Sequence, residues 1–300
     1  MSNQSPTIVF FGSGPVAARS LSLLTSNFKI EAVITKPTTA HEMKESAVNI
    51  PIYLANNQKE LDHLLDSVQF KSSLGILIDF GIMISQKVID CFPLGIINSH
   101  FSLLPEWRGP DPITFAILSG QKQTGVSLML LTKQMDKGPI LAQAMYDIPN
   151  DSDTPELTIA LIELSDAMLK TIVPMYQDNA IILLPQRKVS IIGDKTASSS
   201  NKLVKNDGLI DWTKPAVQLE REVRAFIEWP KSRTMLADRE VIITKAIVSN
   251  KQGQPGTILV TGEQLCIHCG DGSLEVQQLK PAGRSAMSAH AFLAGYGQYL

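Results

Sequence analysis

Three hundred residues with a formal net charge of −2, 44% hydrophobic and 19% charged, describe an ordinary globular chain, not a disordered one or a uniformly basic nucleic-acid binder. At roughly 100–200 residues per domain the length predicts two domains. The charge divides with it, since residues 1–180 hold 12 Lys+Arg against 18 Asp+Glu (net −6) and residues 181–300 hold 15 against 11 (net +4). Three cysteines are too few for a disulfide framework and predict a reducing compartment. The segment Met1 to Thr7 has no basic n-region, and no stretch nears the roughly 18 apolar residues of a membrane span. The expectation is a soluble, cytoplasmic monomer.

Thr7–Phe11 is an apolar run ending at Gly12, the pattern of a buried parallel strand. Gly12-Ser13-Gly14 turns the chain into a helix that opens with Pro15 and runs to about Ser26. Strands follow at Lys29–Thr35, Leu74–Ile78 and Gly95–Ile97, with helices at Gln58–Val68 and from Ser85 to Cys91 between them. A helix at Pro112–Leu118 leads to strands at Gly125–Leu131 and Ile140–Ile148, then to a long helix capped by Asp153 or Thr154 and ending near Gln177. The alternation predicts an α/β, Rossmann-like open and mostly parallel sheet. The short gap between its last two strands predicts mixed direction there.

After residue 180 the pattern changes. Ala197–Asn201 is a small polar stretch, followed by a helix at about Pro215–Phe226. Short runs at Glu240–Val248, Gly256–Val260, Gln264–His268 and Ser273–Gln278 are punctuated by glycines. This predicts a smaller C-terminal β-barrel, OB-like. The division expected is a catalytic domain over 1–180, a linker over 181–205 and the barrel over 206–300.

Four constellations carry possible chemistry. Gly12-x-Gly14-x-x-Ala17 fits a dinucleotide turn, but Thr35 and Lys36 stand where an NAD site wants an acid, so a plain tight turn is the competing reading. Asn98 and His100 share a face at the carboxyl end of a central strand, where ligands bind in open α/β sheets; they also suit an ordinary turn. Asp136 precedes Lys137-Gly138-Pro139 and reads as a turn residue or as a partner for the histidine. Cys266-Ile267-His268-Cys269 has a C-x-x-C core without a second ligand pair, so no metal is expected.

Phe11-Gly-Ser-Gly-Pro15, Ile97-Asn-Ser-His-Phe-Ser-Leu-Leu-Pro-Glu-Trp-Arg-Gly109 and Gln134-Met-Asp-Lys-Gly-Pro139, in this order, resemble the 10-formyltetrahydrofolate-dependent formyltransferase family. Leu209-Ile-Asp-Trp212, Arg224-Ala-Phe226, Cys269-Gly-Asp-Gly-Ser273, Leu279-Lys-Pro281 and Ala291-Phe-Leu-Ala-Gly295 are similar to the C-terminal domain of its methionyl-tRNA branch. The resemblance implies a catalytic trio of Asn98 (oxyanion donor), His100 (general base and acid) and Asp136 (orienting His100). It implies folate against Ser102, Leu103, Leu104 and Pro105, against the loop Phe80, Gly81, Ile82, Met83 and Ile84, and against Met135. It implies 10-formyltetrahydrofolate as co-substrate, methionyl-initiator tRNA as acceptor and partner, and a structural role for the glycine turn.

Three stretches depart from the family pattern. Lys36 to Pro51 is shorter than the usual basic loop, with only Lys36 and Lys44 as cations. Arg108-Gly-Pro-Asp-Pro112 carries Pro-Asp where small residues are usual, and Trp229-Pro-Lys-Ser-Arg233 replaces a Pro-Gly stretch. An N-formyltransferase acting on an amino-sugar nucleotide is therefore the alternative, and an RNA-binding module with a decayed site a third reading. Arg187, Lys188, Lys195, Lys202 and Lys205 cluster in sequence where a polyanion would be met.

Overall fold

The computed structural model describes residues 6–188 and 196–300. The polar start Met1–Ser5 and Lys195 of the basic cluster lie outside the described residues. The chain forms two units, one within Met1–Pro112, Gln123–Asp147 and Thr158–Ser200, the other within Ile113–Lys122, Ile148–Leu157 and Asn201–Leu300.

In the first unit, β1 (Thr7–Gly12), β2 (Lys29–Thr35), β3 (Ile52–Leu54), β4 (Gly75–Ile78), β5 (Ile96–His100), β6 (Gln123–Leu130) and β7 (Ile140–Asp147) form one sheet in the order β3-β2-β1-β4-β5-β6-β7. The first five run parallel; β6 is antiparallel to β5 and β7 to β6, the mixed edge expected from the short connection. Helices α1 (Gly14–Leu24), α2 (Ala40–Ser46), α3 (Gln58–Ser67) and α4 (Gln86–Asp90) join the parallel strands. Strand order reverses between β1 and β4, and a crevice at such a switch point takes ligands in α/β sheets. α6 (Thr154–Gln177) follows, in this unit from Thr158 on, while α5 (Pro112–Ser119) groups from Ile113 with the second unit; the Asp153 carboxylate caps α6 by accepting from Glu156 N–H at 3.0 Å.

The short α2 and β3 were not foreseen from sequence, because neither is long enough to show a period. β5 also runs three residues past the expected Ile97, so Asn98 and His100 belong to the strand itself. The core beneath the crevice is aromatic: the Phe11 ring meets Phe80 and Phe92 edge-on at 5.8 and 5.7 Å.

The C-terminal stretch of the second unit has α7 (Ala216–Ala225) as its first α-helix. It continues through β8 (Arg233–Leu236), β9 (Arg239–Ser249), β10 (Ile258–Thr261), β11 (Gln264–His268), β12 (Ser273–Pro281) and β13 (Met287–Ser288) to α8 (Ala289–Tyr296). Its sheet is antiparallel throughout, ordered β10-β11-β12-β9-β8, with β13 on β12. Register shifts between Val276 and Leu279 bend the long β12–β9 pair, giving a half-barrel. Leu219 and Val223 of α7 and Phe292 of α8 join Leu265, Ile267, Leu274 and Val276 in its core.

The glycine turn after β1 is explained by packing. A Cβ on Gly12 would lie 2.5 Å from the Phe10 ring and 2.6 Å from the Ala17 Cβ, so the first turn of α1 sits on β1 only because residue 12 has no side chain. Gly12→Ala is expected to cost about 1–3 kcal/mol by overpacking. Thermal unfolding should show a lowered midpoint; an unchanged midpoint would refute this account of the turn.

Candidate functional site

β5 presents alternate residues to opposite faces. Ser99 faces α6, where its hydroxyl lies 2.6 Å from that of Ser165, while Asn98 and His100 face the other way. Both are only 6% exposed. Register with the neighbours fixes their height: Asn98 stands beside Leu77 of β4 and Met129 of β6, and His100 beside Ser127.

Asp136 sits in the turn between β6 and β7 with a left-handed φ of 50°, a conformation that non-glycine residues adopt at a cost. It is 9% exposed. Gly109 N–H donates to its Oδ2 at 2.8 Å and the Asn98 amide donates to Oδ1 at 3.4 Å. The same Oδ1 is 3.9 Å from His100 Nδ1, beyond hydrogen-bond reach but close enough for charge to act. Sequence motifs 36 residues apart thus meet in one buried cluster.

The imidazole is oriented from its other side. His100 Nε2 lies 2.9 Å from the Trp107 carbonyl oxygen, and a carbonyl only accepts, so Nε2 carries the proton. Nδ1 of the neutral ring is then a free base, and a proton taken there sits beside the Asp136 carboxylate. The loop supplying Trp107 and Gly109 is itself pinned. Trp107 N–H donates to Ser198 Oγ at 2.9 Å, Arg108 N–H to Ser198 O at 3.0 Å, and Ser200 N–H to Arg108 O at 2.8 Å. Gly109 has φ 116°, and a Cβ there would stand 2.4 Å from Ser200 O.

The residues expected to meet folate divide into two groups. Ser102, Leu103, Leu104 and Phe80 are buried, and Ser102 and Leu104 are tied internally. The Ser102 hydroxyl donates to Glu106 O at 2.6 Å, and Ser127 Oγ donates to Ser102 O at 2.6 Å while accepting from Leu104 N–H at 2.9 Å. Pro105 is likewise buried and follows a cis peptide bond. Gly81, Met83 and Met135 are exposed, with Ile82 and Ile84 half-buried. Leu131 packs against the buried cluster that holds Phe80, as Ile82 and Ile84 do, and also against the cluster that holds Leu104. The Cys266–Cys269 segment is occupied by packing: Cys266 Sγ is 3.5 Å from Lys251 Nζ, and desolvation pushes the Cys269 thiol up to about 11. No cluster suited to a metal ion occurs among the described residues.

Sequence reasoning missed two participants. Gln186 reaches the Asp136 turn from beyond α6, with no motif to mark it. Asp79 leaves the sheet two residues past Leu77, on the strand beside His100, with φ 48° and its carbonyl accepting from Ser13 N–H at 2.9 Å. Its side chain is exposed to solvent, although protein atoms surround the carboxyl. Burial first, and the Asp111 carboxylate second, push its pKa up to about 6, against the pull of Lys36. Lys36 and Asp111 belong to two of the stretches that depart from the family pattern.

A family described as formyl transferase matches residues 7–173, and its C-terminal domain matches 202–297. The chain is 32% identical over 94% of its length to a methionyl-tRNA formyltransferase of Roseiflexus castenholzii, covering 93% of that protein. It is 33% identical to that of Chloroflexus aggregans, over 96% of both chains. Among solved structures, HypX from Aquifex aeolicus with tetrahydrofolic acid superposes with a TM-score of 0.67 at 16% identity, over 96% of this chain and 47% of that one. An N-formyltransferase of Helicobacter canadensis, with folinic acid and dTDP-3-aminofucose, gives 0.67 at 17% identity over 91% and 98%. The chain belongs to the formyl transferase family, and is an enzyme of that class. Within the family, its sequence relatives named above are the methionyl-tRNA formyltransferases.

Asp79 generates a stability prediction. Its folded pKa, about 6, lies above the ordinary 3.8, so between these values the folded chain holds a proton that the unfolded chain releases. Stability therefore falls as pH rises through that window, and the full cost stands above it. Asp79→Asn should raise the thermal midpoint at about pH 7.5 and leave it unchanged near pH 3.5, where both carboxyl states are protonated. A gain of equal size at both pH values would show that desolvation of the charge is not its source.

Proposed function

We propose that this enzyme transfers a formyl group from 10-formyltetrahydrofolate to the free amino group of methionyl-initiator tRNA, acting as a cytoplasmic monomer. The acceptor is supported by agreement along nearly the whole chain with proteins named methionyl-tRNA formyltransferases. Family membership and the folates named with two structural neighbours support the donor. The observation that carries the mechanism is the buried meeting of Asn98, His100 and Asp136.

The acceptor nitrogen attacks the formyl carbon, and the carbonyl oxygen gains charge. Asn98 has two amide protons; one faces Asp136 and the other serves the oxyanion, a contribution of ~2.7–4 kcal/mol for a single such donor. His100 Nδ1 takes the proton from the attacking nitrogen and returns it to the folate nitrogen as the carbon–nitrogen bond of the donor breaks. Such help is worth ~100–10,000-fold. Asp136 stabilises the imidazolium by its charge, while the Trp107 carbonyl holds the tautomer. No metal and no covalent enzyme intermediate is needed.

The donor lies against exposed Gly81, Met83 and Met135 and half-buried Ile82 and Ile84, with Phe80 and the Ser102–Pro105 segment forming the support beneath. The domain over 206–300, with basic residues such as Lys202 and Lys205 leading into it, holds the tRNA through phosphate contacts.

His100→Ala and Asp136→Ala should each lose most activity while keeping a wild-type circular dichroism spectrum, and Asn98→Ala should lose roughly 100–1,000-fold in kcat. Wild-type turnover in any of the three would remove that residue from the mechanism. With 10-formyltetrahydrofolate present, charged initiator tRNA should be formylated and charged elongator tRNA or an amino-sugar nucleotide should not. Turnover of the sugar nucleotide with tRNA inert would replace the acceptor. Affinity for tRNA should fall as salt rises, and Lys202→Ala and Lys205→Ala should each flatten the log–log slope by about one. Unchanged slopes would exclude these lysines from the interface.

A further inference from the structure

We infer that Gln186 is a positioning residue for the transfer, holding the Asp136 carboxylate at its working place beside His100. The inference rests on the roles proposed above for Asp136 and His100. Gln186 opens a short 3-10 turn, Gln186–Lys188, beyond α6, and is 6% exposed. Its Nε2 donates to the Asp136 carbonyl at 2.7 Å and to the Gly138 carbonyl at 3.0 Å. Its Oε1 accepts from Arg108 Nε at 3.1 Å and from the same guanidinium's Nη2.

Gly109, the residue after Arg108, gives its N–H to Asp136 Oδ2. The contacts thus close a ring, from the Asp136 carboxylate through Gly109 and the Arg108 side chain to Gln186 and back to the Asp136 backbone. Just before it, Leu184 exchanges two backbone hydrogen bonds with Ile140 at 2.8 and 3.0 Å, so the segment arrives in fixed register.

The chemistry of the ring selects glutamine. Both amide protons and both carbonyl lone pairs are engaged, which is the full capacity of the group. Glutamate lacks the protons, lysine lacks the acceptor, and asparagine is one methylene too short. Asp136 requires such a tie, because its left-handed backbone is disfavoured and the turn is open on one side, with the neighbouring Met135 54% exposed. Misplacement of a catalytic group by about 1 Å can cost on the order of 100-fold in rate.

The test uses the full chain with Gln186→Met, which keeps length and removes every hydrogen bond, and Gln186→Glu, which keeps the Arg108 contact and removes the donors. In formyl transfer both should lower kcat roughly 10–100-fold and leave both KM values within about threefold. The loss should fall on kcat and spare KM because Gln186 acts through the Asp136 turn. If Gln186→Met does not fold, Gln186→Glu is read by the same criteria.

In an Asp136→Asn background, Gln186→Met should add less than about a twofold further loss. Wild-type kcat, a loss confined to KM, or full additivity with Asp136→Asn would each overturn the inference. Failure of the underlying reading looks different: Asp136→Asn alone would then keep wild-type turnover.

Discussion

A carboxylate removed from water must have its charge met by donors, and the loops of the first unit are built around meeting that requirement at Asp136. An isolated buried charge is far costlier than any single hydrogen bond repays. Here the Gly109 N–H and the Asn98 amide supply the contacts, and each needs a loop or strand end held in place. Gly109 is available because the 105–111 loop is paired against Ser198 and Ser200. Asn98 is available because β5 continues in register beside β4 and β6 instead of ending at Ile97. The arrangement of loops follows from one buried carboxylate whose oxygens need donors beside an imidazole.

Much of this was legible in the chain. Apolar runs alternating with helical spacing gave the parallel sheet, because burial on both faces leaves little choice of residue. The two-residue spacing of Asn98 and His100 placed them on one face by strand geometry alone, and the hydroxyl pair of Ser99 and Ser165 on the other face follows from the same rule. Family motifs named Asp136; its proximity to His100 required the fold, since 36 intervening residues fix no distance.

What escaped the sequence shares a physical character. Gln186, Ser198 and Ser200 act through hydrogen bonds from aperiodic segments, and hydrophobic patterning carries no record of such contacts. Asp79 belongs to no motif, and its raised pKa arises from surroundings that include the distant Asp111 and Lys36. The strands β8 and β13 were too short and too polar to register. The unit boundaries escaped for a different reason: residues 113–122 and 148–157 group with the C-terminal unit although they lie inside the N-terminal stretch of chain, so the division is not a single cut.

The pinning of the 105–111 loop bears on where the first unit ends. The formyl transferase match stops at residue 173, yet the groups that fasten the Trp107–Asp111 stretch and the Asp136 turn come from Gln186, Ser198 and Ser200. The chain past α6 is therefore part of the first unit's machinery and more than a tether to the second. A chimera joining this N-terminal domain to a relative's C-terminal domain keeps its native site only if the junction falls after Ser200. A junction drawn at the end of α6 would pair the loop with a foreign strap.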